Sequence, residues 1–203
     1  MGAGVFERCR EDVGDELDHG IRALTPTSPQ HRLELIPATL EICEAEARGP
    51  KAVGLALRVR VPASWPPPVL EPDDVERLRR QLESNPTAHG WTLHYLVLRE
   101  VTGDGRRDLV GVAGYAGPPS TDGAVEIGYA IAQEYQRRGY ATEAVQALIE
   151  RAFAEPSVVV VTATTYASLA PSIGVLTKTG FTQVSSDPDT GLLKYERRRD
   201  RTS

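Results

Sequence analysis

Cysteine is almost missing from this chain: Cys9 and Cys43 are the only two in 203 residues. They give no disulfide framework, and four scattered histidines do not complete a metal-ligand cluster around them. No stretch approaches the roughly 20 apolar residues of a membrane span. The opening MGAGVFERCREDVGDELDHG also lacks the continuous apolar core of a secretory signal. Positive charge is not in excess: 23 Lys and Arg against 28 Asp and Glu leave a net charge of −5, which argues against the basic face a nucleic-acid binder needs. No repeat or low-complexity tract is visible. What is present is an ordinary globular composition, 40% hydrophobic and 25% charged, enough for one well-filled domain and short for two. The expectation is a cytoplasmic protein with no metal, no nucleic-acid partner and no membrane association.

Residues 1–30, with mixed charge, several glycines and TPTSPQ, read as an extension ahead of a domain over 31–199, with 200–203 as a tail. RLELIP predicts a short strand with Leu33 and Leu35 on one side, ended by Pro37. ATLEICEAEAR and KAVGLAL predict two short helices broken at Gly49-Pro50. VPASWPPPVL is a stiff, proline-rich loop. EPDDVERLRRQLESN predicts a helix with Asp73 and Asp74 at its start and Val75, Leu78 and Leu82 on one face.

Three strand signals follow: WTLHYLVLRE, with Trp91, Leu93, Tyr95 and Val97 on one face, then DLVGVAGYAG and AVEIGYAI, joined by polar turns into an antiparallel meander. From Ala144 to Phe153 the apolar spacing is helical until Pro156, and SVVVVTATT then supplies a central strand, giving a right-handed parallel unit. SLAPSIGVLTKTG predicts a last helix with Ser168 as N-cap and Gly180 just past its end, and FTQVSS and LLKYERR pair across DPDTG. The class is α+β, a mixed and largely antiparallel sheet flanked by helices.

The chemistry gathers at QRRGYA, Gln136 to Ala141, where a helix begins. A first helical turn carries unpaired N–H groups and partial positive charge. Gly139 lets a ligand approach the backbone, and Arg137 and Arg138 carry charge suited to phosphate oxygens. The bland alternative is a turn glycine beside a solvated cap. A cationic pair at a helix N-terminus opposes the macrodipole by roughly 0.3–1 kcal/mol, which tilts the reading toward a bound anion. Two other glycine-rich stretches carry nothing: GDGRRD lacks the third glycine of a dinucleotide fingerprint, and GVLTKTG lacks the Gly before Lys that a P-loop requires.

From Ala124 to Phe181 the chain resembles the GCN5-related N-acetyltransferase (GNAT) family, through EIGYAIAQEYQRRGYATEAVQALIERAF and a closing helix, SIGVLTKTGF, similar to that of the branch of ribosomal-protein N-terminal acetyltransferases. The resemblance implies a central parallel strand pair that splays into a cleft. It implies acetyl-CoA as cosubstrate, with pantetheine beside Ile127 to Ala132 (Ile131 and Ala132 among them). It rests the pyrophosphate on the backbone amides of Arg137, Arg138, Gly139, Tyr140, Ala141 and Thr142, with Gln136, the first residue of the family signature, also among the cofactor-binding residues. Two positions depart from the family pattern: Leu169 stands where many members carry Asn, and Leu176 where many carry the Tyr acid.

The resemblance further implies that Glu126, on the strand entering the cleft, deprotonates the amine directly or through water. Ser172 could hydrogen-bond near the sulfur, and Tyr166 is a second proton-donor candidate. The plainer readings stay open: a solvent-facing strand glutamate for Glu126 and a local cap for Ser172. Tyr129 must point to the opposite sheet face from Glu126. The implied activity is transfer of acetyl to a primary amine, on a small molecule or a peptide N-terminus, by a monomer or homodimer. The alternative is a non-catalytic acyl-CoA-binding sensor on the same fold.

Overall fold

The computed structural model describes residues 31–67, 70, 72–84 and 90–200. The expected extension over residues 1–30 lies outside the described residues, as do Pro68 of the proline-rich loop and residues 201–203 of the tail.

Strand β1, Leu33–Pro37, buries Leu33 and Leu35 as their alternation requires. Helix α1, Leu40–Arg48, starts at Thr39, whose Oγ1 accepts from the Ile42 N–H at 3.3 Å. It ends where Gly49 takes a left-handed φ of 100°, and Pro50 opens helix α2, Pro50–Leu57. Helix α3, Pro72–Ser84, buries Leu78 and Leu82. The remaining strands are β2, Val59–Arg60; β3, Leu93–Thr102; β4, Arg106–Tyr115; β5, Ala124–Ile131; β6, Val160–Tyr166; β7, Thr182–Ser186; and β8, Leu192–Arg198. Helices α4, Tyr140–Ala154, and α5, Ala170–Lys178, complete the fold.

The strands form one mixed sheet in the order β1-β3-β4-β5-β6-β8-β7, with the short β2 pairing with β4. All neighbours are antiparallel except β5–β6 and β2–β4. Helices α1, α2 and α3 bury one face around Tyr95, Val97, Leu109 and Val112. Helices α4 and α5 bury the other around Leu96, Val110, Ile127, Leu148 and Val161. The first group of helices covers only the β1–β3–β4 half; beyond it no described helix lies on that face, where Glu126, Thr164 and Lys194 are exposed.

Three details depart from the local reading. Leu169, not Ser168, is the N-cap of α5, and no side chain caps it; the helix begins one residue later because Pro171 occupies its first turn. Trp91 does not share a face with Leu93, Tyr95 and Val97. It precedes the ladder and turns to the α4 side, meeting the Tyr115 ring at 4.9 Å. Strand β6 starts only at Val160, after a turn closed by Val158 N–H to Glu155 O at 3.1 Å.

The feature that positions the site is an interrupted ladder. Strands β5 and β6 pair from Ala124↔Val160 to Ile127↔Ala163 and no further. Beyond that point β5 stays with β4 up to Ile131↔Gly111, while β6 stays with β8 up to Tyr166↔Leu192. The sheet opens at its centre. No helix among the described residues is long and apolar enough to cross a membrane, and no group of three or more His, Cys, Asp or Glu is placed there to hold a metal.

Candidate active site

After β5 the chain makes a single 3-10 turn, Gln133–Tyr135, then the loop that starts α4. Arg137 has φ 59° and Gly139 φ 85°, two left-handed residues within three. An arginine there costs roughly 1–2 kcal/mol and persists only where its surroundings impose it. Such a turn directs successive N–H groups into one concavity, a backbone nest suited to an anion. Among the described residues, the N–H groups of Arg137 through Thr142 meet no acceptor; the first to do so is Glu143, bonded to Gly139 O at 3.1 Å. Six N–H groups without a described acceptor, around one helix start and with the exposed Arg137 and Arg138 beside them, fit a pyrophosphate.

Contacts distant in sequence hold this loop. Arg32 donates to Glu143 Oε2 at 3.0 Å and to Arg138 O at 3.1 Å, and lies over the Tyr140 ring at 4.6 Å. Glu143 Oε1 in turn accepts from the Leu33 N–H at 2.9 Å, tying the loop to edge strand β1. On the other side Glu134 accepts from the Ser64 N–H at 3.0 Å and from its hydroxyl, and Gln133 N–H donates to Ser64 Oγ at 3.1 Å. Those bonds from Ser64 hold the Glu134 carboxyl below the usual range. Gln136 spends its side chain on Ile131 O at 3.1 Å, and the Ala132 N–H is taken by Val110 O at 2.9 Å. The half-buried Ile131 and the buried Ala132 therefore form the junction between β5 and the nest.

The two faces of β5 carry different chemistry. On the face that no described helix covers, Glu126 is exposed, and its Oε1 accepts from Thr164 Oγ1 at 2.8 Å, a diagonal contact across the last paired rung, Ile127↔Ala163. Gly128, two residues on, faces open space, since an added Cβ there meets nothing within 4 Å. On the helical face Tyr129 reaches across the opening to α5, its hydroxyl 3.1 Å from both Ser172 O and Ser172 Oγ. Burial raises the Tyr129 phenol above its ordinary value. Leu176 lies in the core beneath, whereas Leu169 and Tyr166 are about half exposed.

Glu126, Ser172 and the residues from Ile131 to Thr142 are thus grouped around the opening. Local reading missed Arg32, Ser64, Glu143 and Thr164, none of which carries a signal in its own neighbourhood. A separate hollow of about 520 Å³, lined by Lys178, Thr182, Glu196, Arg198 and neighbours, lies at the opposite end of β7 and β8. Its lining includes none of the residues around the opening.

Residues 45–182 match the family model described as an acetyltransferase (GNAT) domain. Over 56 residues the chain is 39% identical to a Bacillus subtilis (strain 168) protein named as the uncharacterized N-acetyltransferase YjdG, an alignment that spans 28% of this chain and only 33% of that protein. The ribosomal L7/L12 alpha-N-protein acetyltransferase RimL, solved in complex with coenzyme A, shares the fold at a TM-score of 0.59 and 18% identity, over 86% of this chain and 97% of that one. The microcin C7 self immunity acetyltransferase MccE, solved with acetyl-CoA and AMP, does so at 0.57 and 15%, over 87% and 99%. At these identities the structural likeness speaks for the fold.

Proposed function

We propose, from the premise that this chain belongs to the GNAT acetyltransferase family, that it moves acetyl from acetyl-CoA to a primary amine by direct attack in a ternary complex. The observation that carries the proposal is the row of amides from Arg137 to Thr142, without partners among the described residues, at the mouth of a split parallel strand pair. The nest takes the pyrophosphate, the unpaired edge of β5 takes the pantetheine arm, and the gap beyond Ile127 and Ala163 admits the thioester. Two solved relatives hold coenzyme A or acetyl-CoA, which supports the same ligand here. Acetyl-CoA brings a thioester carbonyl open to nucleophilic attack; binding, orientation and proton handling fall to the protein.

Glu126 receives the proton of the attacking amine from the face that no described helix covers, where an acceptor can approach, and Thr164 orients the carboxylate. The acceptor is a peptide N-terminus or a small-molecule amine. An α-amine with a pKa near 8 is roughly a tenth neutral at pH 7, whereas a lysine near 10.4 is less than about a thousandth neutral, so the first asks less of the base. The test is thiol release from acetyl-CoA with peptides, small amines, amino acids and aminated antibiotics, beside a calorimetric titration with CoA. Release with one amine class supports the reading. CoA binding without release across the panel supports the sensor on the same fold, and no binding removes both.

A further inference from the structure

The face of the sheet that carries Glu126 continues across β6 and β8 as a patch of matched side chains. Glu126 lies opposite Thr162, so Thr162, Thr164 and Tyr166 alternate onto its side of β6. On β8, Lys194 lies opposite Thr164 and Leu192 opposite Tyr166, which puts both on that side as well. The intervening Ala163, Thr165, Leu193 and Tyr195 are buried. Tyr166 and Leu192 are 51% and 36% exposed, and directly opposed side chains stand about 5 Å apart at Cβ. Two large apolar groups thus form one exposed pad, a single strand step of about 7 Å from Thr164 and the carboxylate it orients. Lys194 is exposed beside them, with no ion pair among the described residues. Glu196 pairs instead with Arg198 at 3.0 Å, and Asp122 acts on Lys194 only at longer range. Across the opening, Gly128 leaves the space above β5 clear.

Each of these alone is ordinary surface; together they surround the place where the amine must arrive. Resting on the acetyltransferase reading, we infer that the acceptor is a free α-amino acid with an apolar or aromatic side chain. Its carboxylate is held at Lys194 and its side chain lies over Tyr166 and Leu192. The signs fix the orientation: Glu126 draws the ammonium group and takes its proton, while Lys194, on the far side of β6, draws the carboxylate. Adjacent strands lie about 4.8 Å apart, so β5 and β8 are about 10 Å apart at the backbone. Two long side chains narrow that span to the size of an amino-acid headgroup. The substrate side chain then falls toward Tyr166 and Leu192, because the rung on the other side is filled by buried Thr162 and the Glu196–Arg198 pair. A peptide N-terminus would set an amide against Lys194, and a plain alkylamine would set nothing there.

The test compares L-phenylalanine with phenylalaninamide, phenylalanylglycine and glycine in acetyl-CoA-dependent thiol release by the full chain. Phenylalanine should exceed phenylalaninamide in kcat/KM by about ten- to a hundredfold, the size of one hydrogen bond between charged groups, although the amide's amine is the less basic. It should exceed glycine by about tenfold, through the ring laid on the pad. Lys194→Ala should raise KM for phenylalanine by about ten- to a hundredfold with little change in kcat. That loss should shrink on phenylalaninamide, which offers Lys194 no charge, and Lys194→Arg should restore most of it. Leu192→Ser should narrow the gap between phenylalanine and glycine severalfold at unchanged CoA affinity. Equal turnover of acid and amide, preference for the dipeptide, release only with amines that are not amino acids, or equal losses on acid and amide in Lys194→Ala overturns the inference while leaving the acetyltransferase reading intact. CoA binding without release on any amine, or no CoA binding, overturns both. Should Lys194→Ala lower the melting temperature, the wild-type comparison of acid with amide decides the question.

Discussion

The β1–β3–β4 half of the sheet and the β5–β6 junction are built to opposite standards. In the first, β1 pairs with β3 without a break and β3 pairs with β4 to both ends around an irregularity between Leu96 and Val101, helices cover both faces, and the first turn of α1 finds its partner in Thr39. At the junction the ladder stops at Ile127, no described helix covers one face, and the loop into α4 with its first turn, Arg137 to Thr142, leaves six amides without partners among the described residues. Arg137 is held in a backbone region that its side chain disfavours. Both regions belong to one sheet with the same core behind it, so the difference is not poor folding. The unpartnered groups differ in kind: at the junction they are backbone N–H groups that a ligand can reach, whereas in the closed half they are buried side-chain atoms, Thr92 Oγ1, His94 Nδ1 and Tyr95 Oη.

Four measurements test this contrast. The largest effect is expected at the open junction. Glu126→Gln should lower acetyl transfer by roughly 10²–10⁴ at neutral pH, with CoA affinity and melting temperature unchanged. The loss should shrink as pH rises toward the pKa of the acceptor. Coincident pH–rate profiles for wild type and variant would remove Glu126 from the chemistry.

The closed half should fail by protonation instead. Buried His94 has its pKa depressed from 6.5 to about 4 by loss of solvent. The unfolded chain takes up the proton first, so stability present above pH 6.5 drains away as pH falls toward 4, on the order of 3 kcal/mol. Urea titrations at pH 7 and pH 4.5 should show this drop in wild type and a smaller one in His94→Gln. Equal drops would mean that His94 is not the group responsible.

Gly128→Val separates opening from folding. Its Cβ meets nothing within 4 Å and valine suits a strand, so the melting temperature should hold or rise slightly. Acetyl transfer should fall by about ten- to a hundredfold, because the side chain fills the space through which the amine arrives. Wild-type activity in this variant would place the acceptor path elsewhere. The smallest effect is Thr39→Ala, which should cost about 1 kcal/mol of stability without touching CoA affinity. A loss of CoA binding there would show that the two regions are not independent.

Most of the fold was legible because it is written in local periods. The alternation of Leu33 and Leu35, the Gly49-Pro50 break and the helical spacing from Ala144 to Phe153 each decide an element within a dozen residues. The reading failed where a neighbour decides: Trp91 turns to the face where Tyr115 waits, and Pro171 sets the start of α5 in place of the Ser168 cap. The nest was legible for the same local reason, as Arg137, Gly139 and the helix start are contiguous. Its supports were not. Arg32 and Glu143 lie 111 residues apart, Ser64 and Glu134 lie 70 apart, and Tyr129 and Ser172 lie 43 apart. No window along the chain contains any of these pairs.

The broken ladder between β5 and β6 has a thermodynamic consequence. A sheet parted at its centre is one strand short, and whatever lies along the free edge of β5 completes it. Stability is then shared between the chain and its ligand. For a ligand that binds only the folded form, resistance to unfolding grows with the logarithm of concentration, by about 2.7 kcal/mol at a hundredfold excess over Kd. The abundance of a small molecule would thereby set the lifetime of the fold, making the metabolic state of the surroundings a silent part of its structure.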